Sequence, residues 1–141
     1  MWTKSYSITV PGIKAKQIWD AYTDINGWPR WHDDLEWTEL KGSFKKGAIF
    51  YIKVKNGPKV RLEITECLPN SSFTDSTNFF LATMSDKKLF EDTKQGVRIT
   101  NTLIIKGPLS FLWRKLVAEK VAADVPHEIE KLVQLVRESN D

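Results

Sequence analysis

An α+β fold is what this sequence predicts: a curved antiparallel sheet of about seven strands wrapped around a long C-terminal helix, with two short helices after the first strand. Two observations carry the prediction. Through the middle of the chain, short runs alternate apolar and polar residues at period two, separated by turn residues. Past Gly107-Pro108 the apolar spacing changes to three and four and keeps that period to the end. A sheet with one apolar face must bury it, and the last helix is the only predicted element long enough to do so.

Taken in order, Tyr6, Ile8 and Val10 alternate and predict a strand over residues 2 to 10, stopped by Pro11-Gly12. Ala15, Ile18, Trp19 and Tyr22 lie three to four apart, the mark of one buried helical face. Asn26-Gly27 predicts the end of that helix, and "WPRWHDD" (28 to 34) a second short helix with Pro29 in its tolerant first turn. Leu35 to Leu40 reads as a strand closed by the turn from Gly42 to Gly47. Ile49 to Lys55 is the next, with Phe50, Ile52 and Val54 on one side. "NGP" at 56 to 58 predicts a tight hairpin, because Asn-Gly accepts positive φ angles. Val60, Leu62 and Ile64 then alternate with Arg61, Glu63 and Thr65. "LPNSS" turns the chain again. Strands follow around 73 to 80, 82 to 90 and 97 to 106, with Gln95-Gly96 marking the last hairpin. The terminal stripe runs from Leu112 and Leu116 through Val121, Val125, Ile129, Leu132 and Val133 to Val136. Pro126, inside it, removes a hydrogen bond to the Ala122 carbonyl and predicts a kink or a division.

The 141 residues suit one domain spanning 1 to 141. With a single cysteine, Cys67, neither an internal disulfide nor a cysteine zinc site can form, which points to a reducing compartment. Residues 1 to 15 hold no apolar run of signal-peptide length, and no stretch nears the ~18 apolar residues of a membrane span. The expectation is a cytoplasmic protein without an integral membrane segment. A net charge of +3 is too small to argue for nucleic acid. Its distribution says more: seven basic residues (Lys41, Lys45, Lys46, Lys53, Lys55, Lys59, Arg61) fall in one stretch without an acid, leaving −4 for the rest. That face either attracts an acidic partner or a membrane surface, or is the solvated side of two strands. No GxSxG, P-loop, dinucleotide fingerprint or HExxH motif occurs, so neither a cofactor nor a metal is expected.

The stretch "AKQIWDAYTDINGWPRWHDDLEWTELKGSFKKG" (15 to 47), the strand-rich middle and the terminal helix opening "GPLSFLWRKL" together resemble the helix-grip superfamily. That superfamily holds START lipid-transfer domains, birch-pollen-type allergens and a polyketide cyclase/dehydrase branch, to which the first stretch is similar. The resemblance spans nearly the whole chain. It implies a hydrophobic cavity between sheet and last helix, with the two short helices at one end, and a hydrophobic small-molecule ligand of lipid, polyketide or quinone type. A minority of such proteins catalyse cyclisation or dehydration. The glycine-rich loop of the pollen allergens is missing, "VKNGPKV" being a plain hairpin, and no catalytic constellation of the aromatic cyclases maps on residue by residue.

Candidate site residues divide into two sets. His32 and Glu66 are the acid/base candidates: the histidine titrates near neutrality, and the glutamate continues the apolar face of Val60, Leu62 and Ile64. Against this, His32 with Asp33 and Asp34 reads more readily as a surface or cap group, and Glu66 lies near a strand end. Trp28, Trp31, Trp37 and Trp113 are candidate aromatic walls for a flat ligand, or core anchors. Asn101, Asp75 and Thr77 are polar residues on otherwise apolar strand faces, so each must anchor a ligand or join an internal hydrogen-bond network. Three functions compete: a carrier of a hydrophobic small molecule, a cyclase/dehydratase-like enzyme, and an interaction module using the basic face from 41 to 61.

Overall fold

The computed structural model describes residues 1–139. β1 (Trp2–Val10) leads to α1 (Ala15–Thr23) and a 3-10 helix (Ile25–Arg30). Six strands follow: β2 (Leu35–Leu40), β3 (Ile49–Val54), β4 (Lys59–Leu68), β5 (Ser72–Phe79), β6 (Ala82–Thr93) and β7 (Gly96–Lys106). The chain ends in α2 (Ser110–Trp113), a π-helical segment (Arg114–Ala118) and α3 (Glu119–Ser139). All seven strands form one antiparallel sheet in the order β1-β7-β6-β5-β4-β3-β2. The α+β fold class of the sequence reading is therefore the observed one.

The buried residues of α1 are Ala15, Ile18, Trp19 and Tyr22, as their spacing predicts. Its first amide is held from outside the helix: Ala15 N–H donates to the Asp92 carboxylate of β6 at 2.8 Å. The second short helix lies earlier than its sequence suggests. Asn26-Gly27 does not end α1 but sits inside the 3-10 helix, and Pro29 falls near its end. At three residues per turn, side chains three apart lie on one side. Trp28 and Trp31 are thus both buried, at 6% and 3% exposure.

Two bulges decide which side chains face the helix. In β4 the register slips between Ile64, opposite Asp75, and Glu66, opposite Thr74. One extra residue reverses the alternation beyond it. Cys67, opposite Phe73, takes the inward position and packs against the core, and Glu66 is exposed. A similar slip between Leu35 and Trp37 leaves Leu35, Thr38 and Leu40 buried and turns Trp37 outward.

The last helix departs from its predicted course at the other end from Pro126. α3 runs undivided through that proline, which is exposed, while Val125, Ile129, Leu132, Val133 and Val136 bury against the sheet. One lost hydrogen bond is outweighed by the packing of that stripe. The irregular segment lies at 114–118, where the Glu119 amide bonds the Arg114 carbonyl five residues back. Stepping five rather than four back from buried Ala118 reaches Trp113 instead of Arg114. Leu112 and Leu116, which the sequence places on the buried stripe, are 41% and 61% exposed.

Candidate functional site

The space between helix and sheet has an open cleft at one end and a polar cluster in the middle. The cleft, about 780 Å³, takes Val60, Thr77 and Phe79 from the inner face of β4 and β5, and Trp113 and Val117 from the start of the last helix. Regular pairing of β4 with β5 stops at Glu63–Ser76. Past that point the Thr77 hydroxyl donates to the Arg61 carbonyl at 2.8 Å. The cleft consequently draws lining residues from both faces of the sheet, among them Arg61, Glu63 and Lys106. Trp113 stacks on Phe79, ring centres 4.6 Å apart, and its indole N–H donates to the Phe80 carbonyl at 2.9 Å.

Two residues along β5 from Thr77, on the same face, the polar cluster begins. Asp75 lies opposite Asp86, and Lys88, next on that face of β6, lies opposite Asn101. The Lys88 ammonium is 2.9 Å from Asp86, whose other carboxylate oxygen accepts a hydrogen bond from Asn101 Nδ2 at 2.7 Å. Lys88 also sits over the rings of Tyr22 and Phe73, at 5.6 and 5.7 Å. Burial works against its charge, but the neighbouring Asp86, Asp75 and Tyr22 outweigh that and hold its pKa above the ordinary lysine value. Asp75 is 5% exposed, and its carboxyl group makes no hydrogen bond and no ion pair among the described residues. Burial pushes its carboxyl up to about 7, against the opposing pull of Lys88 and with a further push from Asp86. Burial likewise raises the Tyr22 phenol.

The structure sorts the sequence candidates unevenly. Thr77 and Trp113 line the cleft, whereas Asp75 and Asn101 belong to the polar cluster around Asp86 and Lys88. Trp28 and Trp31 are core residues at the far end: Trp28 meets Phe50 edge-on at 5.4 Å and donates its indole N–H to the Tyr22 carbonyl at 2.8 Å, and Trp31 meets Tyr22 edge-on at 5.3 Å. They wall off the interior there and form no rim. Trp37 belongs to the opposite side of the sheet, 38% exposed, with the Lys59 ammonium 5.7 Å from its ring. Glu66, turned out by the bulge, faces solvent. His32 is tied to the last helix by Glu128 at 3.0 Å, and its Nδ1 is buried without a partner among the described residues. Asp33 joins it there, hydrogen-bonded to His127 at 2.9 Å, an interaction that lowers its carboxyl pKa. The basic stretch is partly neutralised by β2, with Lys53 3.3 Å from Glu36 and Lys41 3.6 Å from Glu39. Lys88 and Asp86 escaped the sequence reading, and Tyr22 entered it only as a core residue of α1. The signal was present: Met84, Asp86, Lys88 and Phe90 alternate on one face as Asp75 and Thr77 do.

Residues 1–137 match a family model described as polyketide cyclase / dehydrase and lipid transport. Among curated proteins no relative matches this chain. Solved structures share the fold across almost its full length. Protein MLL2253 from Mesorhizobium loti superposes with a TM-score of 0.77 at 16% identity, covering 99% of either chain. Ara h 8.0201 gives 0.75 at 16% identity, covering 97% of this chain and 98% of its own. StfQ, a di-domain ARO/CYC from the steffimycin biosynthetic pathway, gives 0.79 at 13% identity over 98% of this chain and 51% of its own.

Proposed function

The chain belongs to the polyketide cyclase/dehydrase and lipid transport family, and on that premise we propose that it binds a hydrophobic small molecule between the sheet and the start of the last helix. One observation carries the reading: an open cleft of about 780 Å³ with Val60, Phe79, Trp113 and Val117 as its apolar wall, Thr77 beside them, and polar and charged side chains, among them Arg61, Glu63 and Lys106, in the rest of its lining. A drug-sized site is roughly 300–1,000 Å³, a range that includes this cleft. Affinity comes from apolar burial at roughly 25 cal/mol per Å². Native mass spectrometry of protein taken from cell extract should find a lipophilic molecule retained, and Val117→Trp, which fills the cleft, should release it. Protein that is always empty, with no affinity for lipid or quinone probes, removes the proposal.

A second reading, a cyclase or dehydratase, is favoured by one feature: a buried carboxyl whose pKa lies at about 7, beside a protonated lysine. In this version Asp75 replaces His32 and Glu66 as the acid/base group, since Glu66 faces solvent and His32 is engaged by Glu128. Asp75→Asn should then abolish turnover of a poly-β-keto thioester while leaving its binding intact. Unchanged turnover ends it.

A further inference from the structure

Two segments beside the cleft leave large apolar side chains in solvent. The β5–β6 turn presents Phe80 and Leu81, 72% and 51% exposed. The start of the last helix presents Phe111, Leu112 and Leu116, at 65%, 41% and 61%. The segments are fastened together by the Trp113 indole bond to the Phe80 carbonyl and by the Leu109 amide, which donates to the Leu81 carbonyl at 3.0 Å. Single exposed apolar residues are ordinary, but five on two mutually bonded segments make a patch of the kind that binds something.

Charge selects the partner. Residues 78–84 and 106–118 contain Lys106, Arg114 and Lys115 and no acid. Arg114 is held by Glu119 at 2.9 Å, while Lys106 and Lys115 have no ion pair among the described residues. Lys59 and Arg61 line the same cleft as Lys106, with Glu63 the one acid in that lining. A second copy of this chain would bring like charge to like charge across a two-fold contact. A bilayer with anionic headgroups satisfies both halves: Phe and Leu enter the acyl boundary, and the cations meet the headgroups.

We infer that this end of the molecule docks on anionic lipid bilayers, with the cleft mouth toward the membrane. The inference stands apart from the ligand reading, because docking is measured with the cleft empty or full. The full chain is sedimented with vesicles of phosphatidylcholine alone or with about 30% phosphatidylserine. Wild type should bind the anionic vesicles and lose binding as salt rises. Phe80→Ser with Phe111→Ser should lower the partition about tenfold or more, since each loses an apolar ring that the bilayer buries. Both rings are exposed, so circular dichroism and the thermal midpoint should be unchanged. Lys106→Gln with Lys115→Gln should lower binding to anionic vesicles about tenfold. Substituting Lys41, Lys45 and Lys46, on the distant β2–β3 loop, should leave it intact. The inference is overturned if wild type ignores anionic vesicles, if the serine pair binds as well as wild type, or if the lysine-loop variant alone loses binding. It is equally overturned if wild type is a dimer that the serine pair separates, with no vesicle binding by either form.

Discussion

Replacing Asp75 by Asn removes a carboxyl group that is buried, opposite a second aspartate and without a hydrogen bond. An unfolded chain releases that proton at the ordinary value of 3.8, whereas the folded chain holds it until about 7. Between those limits the native state binds more protons than the unfolded state, so stability falls as pH rises. The fall begins above the unfolded value and is complete once pH passes the folded one. A separation of about three pH units corresponds to ~4 kcal/mol, and the part lying above pH 5 to ~2–3 kcal/mol. Asn cannot ionise and resembles the protonated acid in shape and hydrogen-bonding capacity. The variant should therefore be close to wild type in acid and gain on it steadily toward pH 8. Urea denaturation of both proteins at several pH values between 5 and 8 reads the gap directly. A gap that stays constant with pH, or one that closes as pH rises, would show that Asp75 is ionised and held by Lys88, and the argument from burial fails.

Three further outcomes are expected. Lys88→Met leaves Asp86 and Asp75 without their cation, and thermal or urea unfolding should show a loss of about 3–5 kcal/mol, greatest above pH 7 where Asp75 is ionised. Gly96→Ala should cost about 3 kcal/mol or more: its φ is +126°, and a Cβ there collides with the Val10 carbonyl oxygen. His127→Ala removes the hydrogen bond that lowers the Asp33 pKa. Stability from that bond is present above the unfolded value and is lost as pH falls through the folded one, so the variant should lose less on acidification below about pH 4 than wild type does.

Period counting located the elements because it reports burial on one face, and it did so for α1 down to the individual residues Ala15, Ile18, Trp19 and Tyr22. It failed wherever a backbone irregularity shifts the phase. One extra residue in β4 put Glu66 in solvent and Cys67 inside. The π turn did the same on the last helix, bringing Trp113 in and sending Leu112 and Leu116 out. Neither event leaves a mark in composition or spacing. Asp75, Thr77 and Asn101 were legible as polar interruptions of apolar faces. Lys88 and Asp86 carried the same mark, yet a charged pair on a strand reads by default as the solvated side.

By itself the sequence determined the α+β class, the order of elements, the hairpins and the apolar faces away from the bulges and the π turn, since these follow from local geometry and from the period of burial. Only the tertiary structure decided that β5, β6 and β7 bring Asp75, Asp86, Lys88 and Asn101 into one cluster. It alone decided that β4 and β5 part beneath the helix to open the cleft. The reason is that register and bulge position depend on side chains far apart in the chain, and a shift of one residue exchanges the buried face for the exposed one.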